Sequence, residues 1–234
     1  MSNTRRTLAF ALGLLIPVSL LAGAAHAVSL AELSNKDASG GLKAALETGA
    51  NAAVGKLGAE GGFLNNDKVR IPLPKILEQA RPLLKMTGKG QQLDDLVVQM
   101  NRAAESAVPM AKPLLLDAVK SMTISDAKNI LTGGDTSVTD FFRARTQDKL
   151  AAQFQPVVKK VTDKSGLATQ YNTAISLAPK LGVLARDQAT VEGYVTQRAL
   201  DGLYTMIAEE EKAIRADPVG TGSKLIGKVF GALK

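Results

Sequence analysis

Leu131-Thr132-Gly133-Gly134-Asp135-Thr136-Ser137-Val138-Thr139-Asp140-Phe141-Phe142-Arg143 lies near the middle of the 234-residue chain, and its reading sets how the rest is built. A glycine pair that can end one helix is followed at once by Asp135 and Thr136, either of which can cap the next. The stretch therefore predicts two helices meeting at a tight corner. Gly133 or Gly134 is expected as a left-handed cap, Asp135 or Thr136 as the N-cap, and Phe141 and Phe142 as core anchors. The corner also gathers two carboxylates, several hydroxyls, Arg143 and the unpaired N–H groups of a new helix's first turn.

Downstream of the corner, Leu150, Phe154, Val157, Val158 and Val161 continue a helical stripe past Pro156, a predicted kink, to a stop at Ser165-Gly166. A helix over 167–177 precedes a loop at Ala178-Pro179-Lys180-Leu181-Gly182. Thr190 caps a further long helix whose stripe runs Val195, Ala199, Leu203, Ile207 and Ile214 and stops at Asp217-Pro218. Glu209-Glu210-Glu211 lies on it. Consecutive helical residues point in different directions, so the three cannot face one ion, and Glu211 to Arg215 at i,i+4 reads as a solvated ion-paired face. Residues 219–234 read as a linker and a short helix with Leu225, Ile226, Val229, Phe230 and Leu233 on one face and Lys224 and Lys228 on another. Such a segment can dock on its own domain or lie on an anionic membrane through Lys224–Lys234.

Upstream, Thr123-Ile124-Ser125-Asp126 is a capping-box variant opening the helix that enters the corner. Residues 91–122 form a long amphipathic pattern that Pro109 and Pro113 should break near Val108. Its first half carries Asn101, Arg102 and Glu105 as close neighbours, either lining a cleft or forming an ion-paired edge between helices. Residues 75–86 are helical and end at Thr87-Gly88-Lys89-Gly90. Residues 61–74 contain Gly61-Gly62, two asparagines and Ile71-Pro72-Leu73-Pro74, which argue against helix, yet Phe63, Leu64, Val69, Ile71 and Leu73 are too apolar for a solvated linker. They predict an ordered extended loop pinned on the helices, with Arg70 at its rim. Before it, Ser34-Asn35 caps a helix whose Gly40, Gly41, Gly49 and Gly55 imply close packing against a neighbour.

The fold expected is therefore all-α: a single-domain irregular helical bundle with kinked helices and one ordered loop at about 61–74. Alternating apolar and polar runs are nearly absent, so a sheet has little to be built from.

The N-terminus bounds the chemistry. Arg5-Arg6, an apolar run from Leu8 to Leu21 broken by Pro17, and Ala25-His26-Ala27 read as an export signal cleaved after Ala27. Thr4-Arg5-Arg6-Thr7-Leu8 partly matches a twin-arginine signal, and a general secretory signal is the preferred reading. Removing residues 1–27, which hold two arginines and no acid, lowers the formal charge from +7 to +5 and removes the single histidine. The chain has no cysteine. A Ser-His-Asp or Cys-His system, a His or Cys zinc site and a disulfide are thereby excluded from the mature chain, which is predicted to be a periplasmic domain, 28–218, held together by its core alone. Basic residues are dispersed among acids and aromatics are few, which argues against nucleic acid as a partner.

Several blocks then occur in order: Gly62-Phe63-Leu64-Asn65 leading to Arg70-Ile71-Pro72-Leu73-Pro74, Met100-Asn101-Arg102-Ala103-Ala104-Glu105, Gly133-Gly134-Asp135-Thr136, Phe154-Gln155-Pro156, Ala199-Leu200-Asp201-Gly202-Leu203 and Ala208-Glu209-Glu210-Glu211. Together they resemble the bacterial domain of unknown function 4197 family, from about Ser34 to Pro218. The resemblance implies a mostly helical exported protein of the Gram-negative cell envelope, without an activity to carry over. Some members look like lipoproteins; this chain lacks the cysteine that would need.

Three functions follow as expectations. The first is a binding or interaction protein without catalysis, with no cofactor or metal, holding an unknown ligand or envelope protein at Arg70, Asn101, Arg102, Glu105, Asp135, Thr136, Asp140 and Arg143, where exposed N–H groups and an arginine suit an anion. The second is a membrane-surface protein attached through its C-terminal helix. The third is a carboxylate enzyme, with or without Mg²⁺ or Ca²⁺, using Asp135, Asp140 and Glu105.

Overall fold

In the computed structural model, residues 35–164, 166–175, 190–218, 220 and 223–231 are described. The expected signal segment, the cap at Ser34, the loop at 178–182 and most of the linker before the last helix lie outside them.

The described residues fold into helices α1 (Asn35–Gly58), α2 (Lys75–Met86), α3 (Gly90–Ala107), α4 (Ala111–Lys120), α5 (Ile124–Thr132), α6 (Ser137–Thr162), α7 (Gly166–Ile175), α8 (Val191–Ala216) and α9 (Lys224–Gly231), with no strand among them. The expected all-α bundle is what forms. A 3₁₀ turn, Val108–Met110, separates α3 from α4 at the place the two prolines require. Pro113 itself sits inside the first turn of α4, where its missing N–H breaks no bond. α6 runs on through Pro156 without interruption.

Helix ends are set largely by local chemistry. Thr123 and Asp126 complete a reciprocal capping box at α5, with the Asp126 N–H donating to Thr123 Oγ1 at 3.1 Å and the Thr123 N–H to Asp126 Oδ2 at 2.9 Å. The Thr190 hydroxyl accepts from the Gly193 N–H at 3.1 Å and starts α8. Gly88, at φ +77, reverses the chain between α2 and α3.

α6 and α8 form the most extensive helix pair, and α3 packs on both. α1 lies against α8, α4 and α9. Tyr204, Phe63, Phe142 and Phe154 are the largest fully buried side chains, so a residue of the 61–74 loop sits in the centre of the core beside residues of α6 and α8. The loop comes that close because α8 offers Gly202: a Cβ there would lie 2.7 Å from the Phe63 ring. In α1, close approach is needed at Gly58, where a Cβ would lie 2.9 Å from Pro109, and not at two of the glycines expected to need it, Gly49 and Gly55. A Cβ at Gly49 would meet Glu210 at an ordinary 3.5 Å and one at Gly55 would meet nothing. Ile226, Val229 and Phe230 of α9 are buried, against α1 and its surroundings, so the apolar face of this helix is occupied by the domain.

Candidate functional site

The eight residues expected at a site separate into two groups. Asn101, Arg102 and Glu105, on α3, hold the 61–74 loop. Asn101 is fully buried and treats Ile71 as a strand would: its Oδ1 accepts from the Ile71 N–H at 2.9 Å, and its Nδ2 donates to the Ile71 carbonyl at 2.9 Å and to the Val97 carbonyl at 2.8 Å. One turn later, Glu105 Oε1 accepts from the Phe63 and Leu64 N–H groups, both at 3.1 Å, and Arg102 donates to Glu105 Oε2 at 2.7 Å and to Glu60 at 2.9 Å. Burial pushes the Glu105 carboxyl up, but the Arg102 hydrogen bond and the N–H groups of Leu64, Phe63 and Gly61 outweigh it and hold the group below the usual glutamate range. Arg70 is exposed at the loop rim; its N–H donates to the Asn66 carbonyl at 2.8 Å, and its guanidinium has no partner among the described residues.

At the corner between α5 and α6 the expected roles are redistributed. Gly133 is extended, at φ −77 and ψ 168, rather than left-handed. What it supplies is space: a Cβ would lie 2.6 Å from Ser137 Cβ and 2.7 Å from the Asn129 carbonyl oxygen. Thr136 stands at the N-cap position of α6, as one of the two expected residues, but its side chain accepts no backbone N–H there. The Thr136 hydroxyl instead donates to Asp140 Oδ2 at 3.0 Å, and Asp135 is exposed without a hydrogen bond among the described residues. Phe142 is buried as expected, with Phe141 packed edge-on at 5.6 Å. Arg143 lies over the Tyr204 ring at 4.6 Å and 3.8 Å from Asp201, which accounts for it in part by packing.

The group that does reach the start of α6 comes from α8. Glu211 Oε1 accepts long contacts, 3.5 Å each, from the Val138 N–H and the Ser137 hydroxyl, and stronger bonds from Arg215 Nε at 3.0 Å and Nη2 at 2.9 Å. Arg215 Nη2 also donates to the Ile130 carbonyl, so one ion pair joins α5, α6 and α8. The Glu211–Arg215 pairing fits its i,i+4 spacing, but the expectation of a solvated face fails, because the Glu211 side chain is only 2% exposed. Its Oε2 has no partner and the residue borders a cavity of about 20 Å³ lined otherwise by apolar groups, including Phe142, Ile214 and Phe230. Burial pushes its carboxyl above the usual range despite Arg215 and the Val138 and Thr139 N–H groups. Glu210 and Glu209 point elsewhere, to Lys56 at 2.6 Å and to Lys68. No three carboxylates converge among the described residues.

What is open to a ligand lies on the other side of α6. The surface around Asp140 and Arg143 is lined by α6 alone and is shallow. Further along, Gln147, Gln155, Thr196 and Gln197 line a trough of about 190 Å³ between α6 and α8, and the Thr196 hydroxyl is buried without a partner. Through shared Gln197 and Tyr194 it continues into depressions of about 310 Å³ and 400 Å³ beside Arg198 and Tyr171. No spacing in the sequence flagged these amides. Only the i,i+4 recurrence of Gln147 and Ala151 with Gln155 marks one helix face.

The family model for proteins of unknown function, DUF4197, matches residues 32–231. The chain belongs to this family. The match runs past Pro218 into α9, further than the sequence blocks alone indicate, and so covers the clamp on the loop, the corner and the trough together. No curated protein and no solved structure matches the chain. As a member of the DUF4197 family it comes with a shared sequence and no assigned activity. No described helix is long and apolar enough to cross a membrane.

Proposed function

We propose that this is an exported periplasmic binding protein without catalysis, and that its ligand lies in the trough between α6 and α8 beside Gln147 and Gln197. Export rests on the signal-like residues 1–27. Binding rests on one observation above the others: beside Asp148, Ala151 and Leu200, the trough is lined by three amide side chains and by Thr196, whose buried hydroxyl has no partner among the described residues. A buried hydroxyl left unpaired costs about 1–3 kcal/mol, and a ligand that supplies the missing bond recovers it. Amides at Gln147, Gln155 and Gln197 offer donors and acceptors together, which suits a polar ligand such as an extended peptide or a sugar better than a bare anion. The anion-attracting end of α6, by contrast, already has the chain's own Glu211. Carboxylate chemistry is less well supported, since Glu105 is fully engaged in holding backbone and Asp135 and Asp140 lie apart from it on another helix junction. Seating the apolar face of α9 on a membrane, with Ile226, Val229 and Phe230, requires this helix to leave α1.

Native mass spectrometry of the chain purified from its own periplasm tests the reading. A retained small molecule is expected, with occupancy lowered about tenfold or more by Thr196→Val combined with Gln197→Ala. Protein that carries nothing, or occupancy unchanged in the variant, overturns it.

A further inference from the structure

α2 keeps three large apolar side chains in solvent: Ile76 at 51%, Leu83 at 65% and Met86 at 86% exposed. They are not left over from packing. The helix already has its anchors in Leu77, which is buried, and Leu84, which packs against the core. Helical geometry sets Ile76, Leu83 and Met86 within about a quarter of the circumference, so they form a stripe beside the anchoring edge. Leu83 and Met86 sit at the end of a helical hairpin. There the Thr87 N–H returns to the Leu83 carbonyl, the Lys89 N–H to the Leu84 carbonyl, Gly88 adopts its positive φ, and α3 begins at Gly90.

The turn itself is basic: from Leu83 to Leu93 the charged residues are Lys85 and Lys89, with no acid among them. Lys75 and Lys85 are exposed and have no acidic partner among the described residues, and Lys89 bonds only a neutral amide, Gln170, at 3.2 Å. The acids of the hairpin lie back from the turn: Glu78 and Asp94 both hold Arg81, at 2.9 Å and 3.0 Å, and Asp95 is exposed and accepts from the neutral amide of Gln91. Large unbranched or singly branched apolar groups at an exposed turn, flanked by Lys85 and Lys89 with their long apolar stems, match the boundary between acyl chains and anionic headgroups. α2 has 12 residues, about 18 Å of helix, which is enough to lie in that boundary and too short to span the bilayer.

We propose that the α2–α3 tip is a membrane-docking surface, in which Leu83 and Met86 enter the headgroup region of an anionic bilayer while Lys85 and Lys89 contact lipid phosphates. Lys75 and Ile76 border the depression that continues the trough, whereas Leu83, Lys85, Met86 and Lys89 line neither it nor the trough, so failure of docking at the tip leaves the binding reading where it stands.

Cosedimentation of the chain from Val28 to Lys234 with vesicles tests this, comparing phosphatidylglycerol mixed with phosphatidylethanolamine against phosphatidylcholine alone. The chain is expected to bind the anionic vesicles and not the neutral ones. Leu83→Ser with Met86→Ser, and separately Lys85→Glu, are each expected to lower the partition by on the order of tenfold, while Lys224→Glu with Lys228→Glu on α9 changes it less than about twofold. The substituted tip residues are exposed, so thermal unfolding stays unchanged and a folding defect is recognisable. Absence of binding to anionic vesicles, equal binding by the tip variants, or loss only in the α9 variant overturns the proposal. So does a concentration-dependent dimer, seen without vesicle binding, that Leu83→Ser with Met86→Ser abolishes.

Discussion

Glu105 and Glu211 occupy equivalent places in two regions of this fold, each a buried carboxylate where one chain segment meets the side of another helix, and the two are treated in opposite ways. Both oxygens of Glu105 are used, one by the Phe63 and Leu64 N–H groups and one by Arg102. Only one oxygen of Glu211 is, and the other faces an apolar cavity. The first region is a complete clamp, and its carboxyl is held low; the second is an incomplete joint, and its carboxyl is pushed up. Burial alone does not decide what a carboxylate does to a fold. What decides it is whether donors at short range meet both oxygens of the group, as at Glu105, or crowd onto one and leave the other bare, as at Glu211.

The largest contrast is expected between two glycines. Gly62→Ala drives a Cβ to 2.4 Å from the Lys56 carbonyl oxygen, against backbone that cannot yield, whereas Gly134→Ala meets nothing within 4 Å. Urea unfolding should show a loss of about 3 kcal/mol or more for the first and under about 0.5 kcal/mol for the second. If both are tolerated, the loop is not clamped. Next comes Asn101→Ala, which strands the Ile71 N–H and carbonyl in the core and is expected to cost about 2–4 kcal/mol by the same measurement.

Glu105→Gln and Glu211→Gln sharpen the comparison through pH. The Glu105 carboxyl is depressed when folded, so its stabilisation is present above the usual 4.5 and is lost as pH falls through the lower folded value. The Glu211 carboxyl is raised, so its favourable contribution is complete below 4.5 and is lost as pH rises through the higher folded value. Near neutral pH, Glu105→Gln is expected to cost about 1–2 kcal/mol and Glu211→Gln less than about 1 kcal/mol, since losing the Arg215 pair is offset by losing a poorly solvated charge. Measured from acid to neutral pH, the gap between wild type and variant should widen for Glu105 and narrow for Glu211. Slopes of the same sign would break the contrast. The smallest effect is expected for Asp140→Ala, under about 0.5 kcal/mol, because its bond to Thr136 is exposed.

Much of the fold was legible in the chain because its punctuation is local. Thr123 with Asp126, Thr190, Pro109 and the Ile71-Pro72-Leu73-Pro74 run each act within a few residues, and the helix boundaries they imply are the ones observed. Sequence neighbours also brought Asn101, Arg102 and Glu105 into view, though not the loop backbone they serve 30–42 residues away. The start of α6 was misread for a physical reason: its donors are met by Glu211, 73 residues along the chain, so no local pattern around Asp135 and Thr136 could report it. Gly202 was hidden for the same kind of reason, since its value lies in the Phe63 ring that packs on it.

The clamp has a consequence for proteolysis. Lys68 and Arg70 are exposed sites that trypsin recognises, in a segment that is not helical. Yet the backbone around them is tied at every step: the Lys68 N–H to Asn66 Oδ1, the Val69 and Arg70 N–H groups to the Asn66 carbonyl, and the Ile71 N–H to Asn101. A protease needs several residues drawn out into an extended strand, so cutting here waits for the loop to lift from α3 and for Phe63 to leave the core. The rate of nicking after Lys68 and Arg70 is therefore a direct gauge of how often this protein opens.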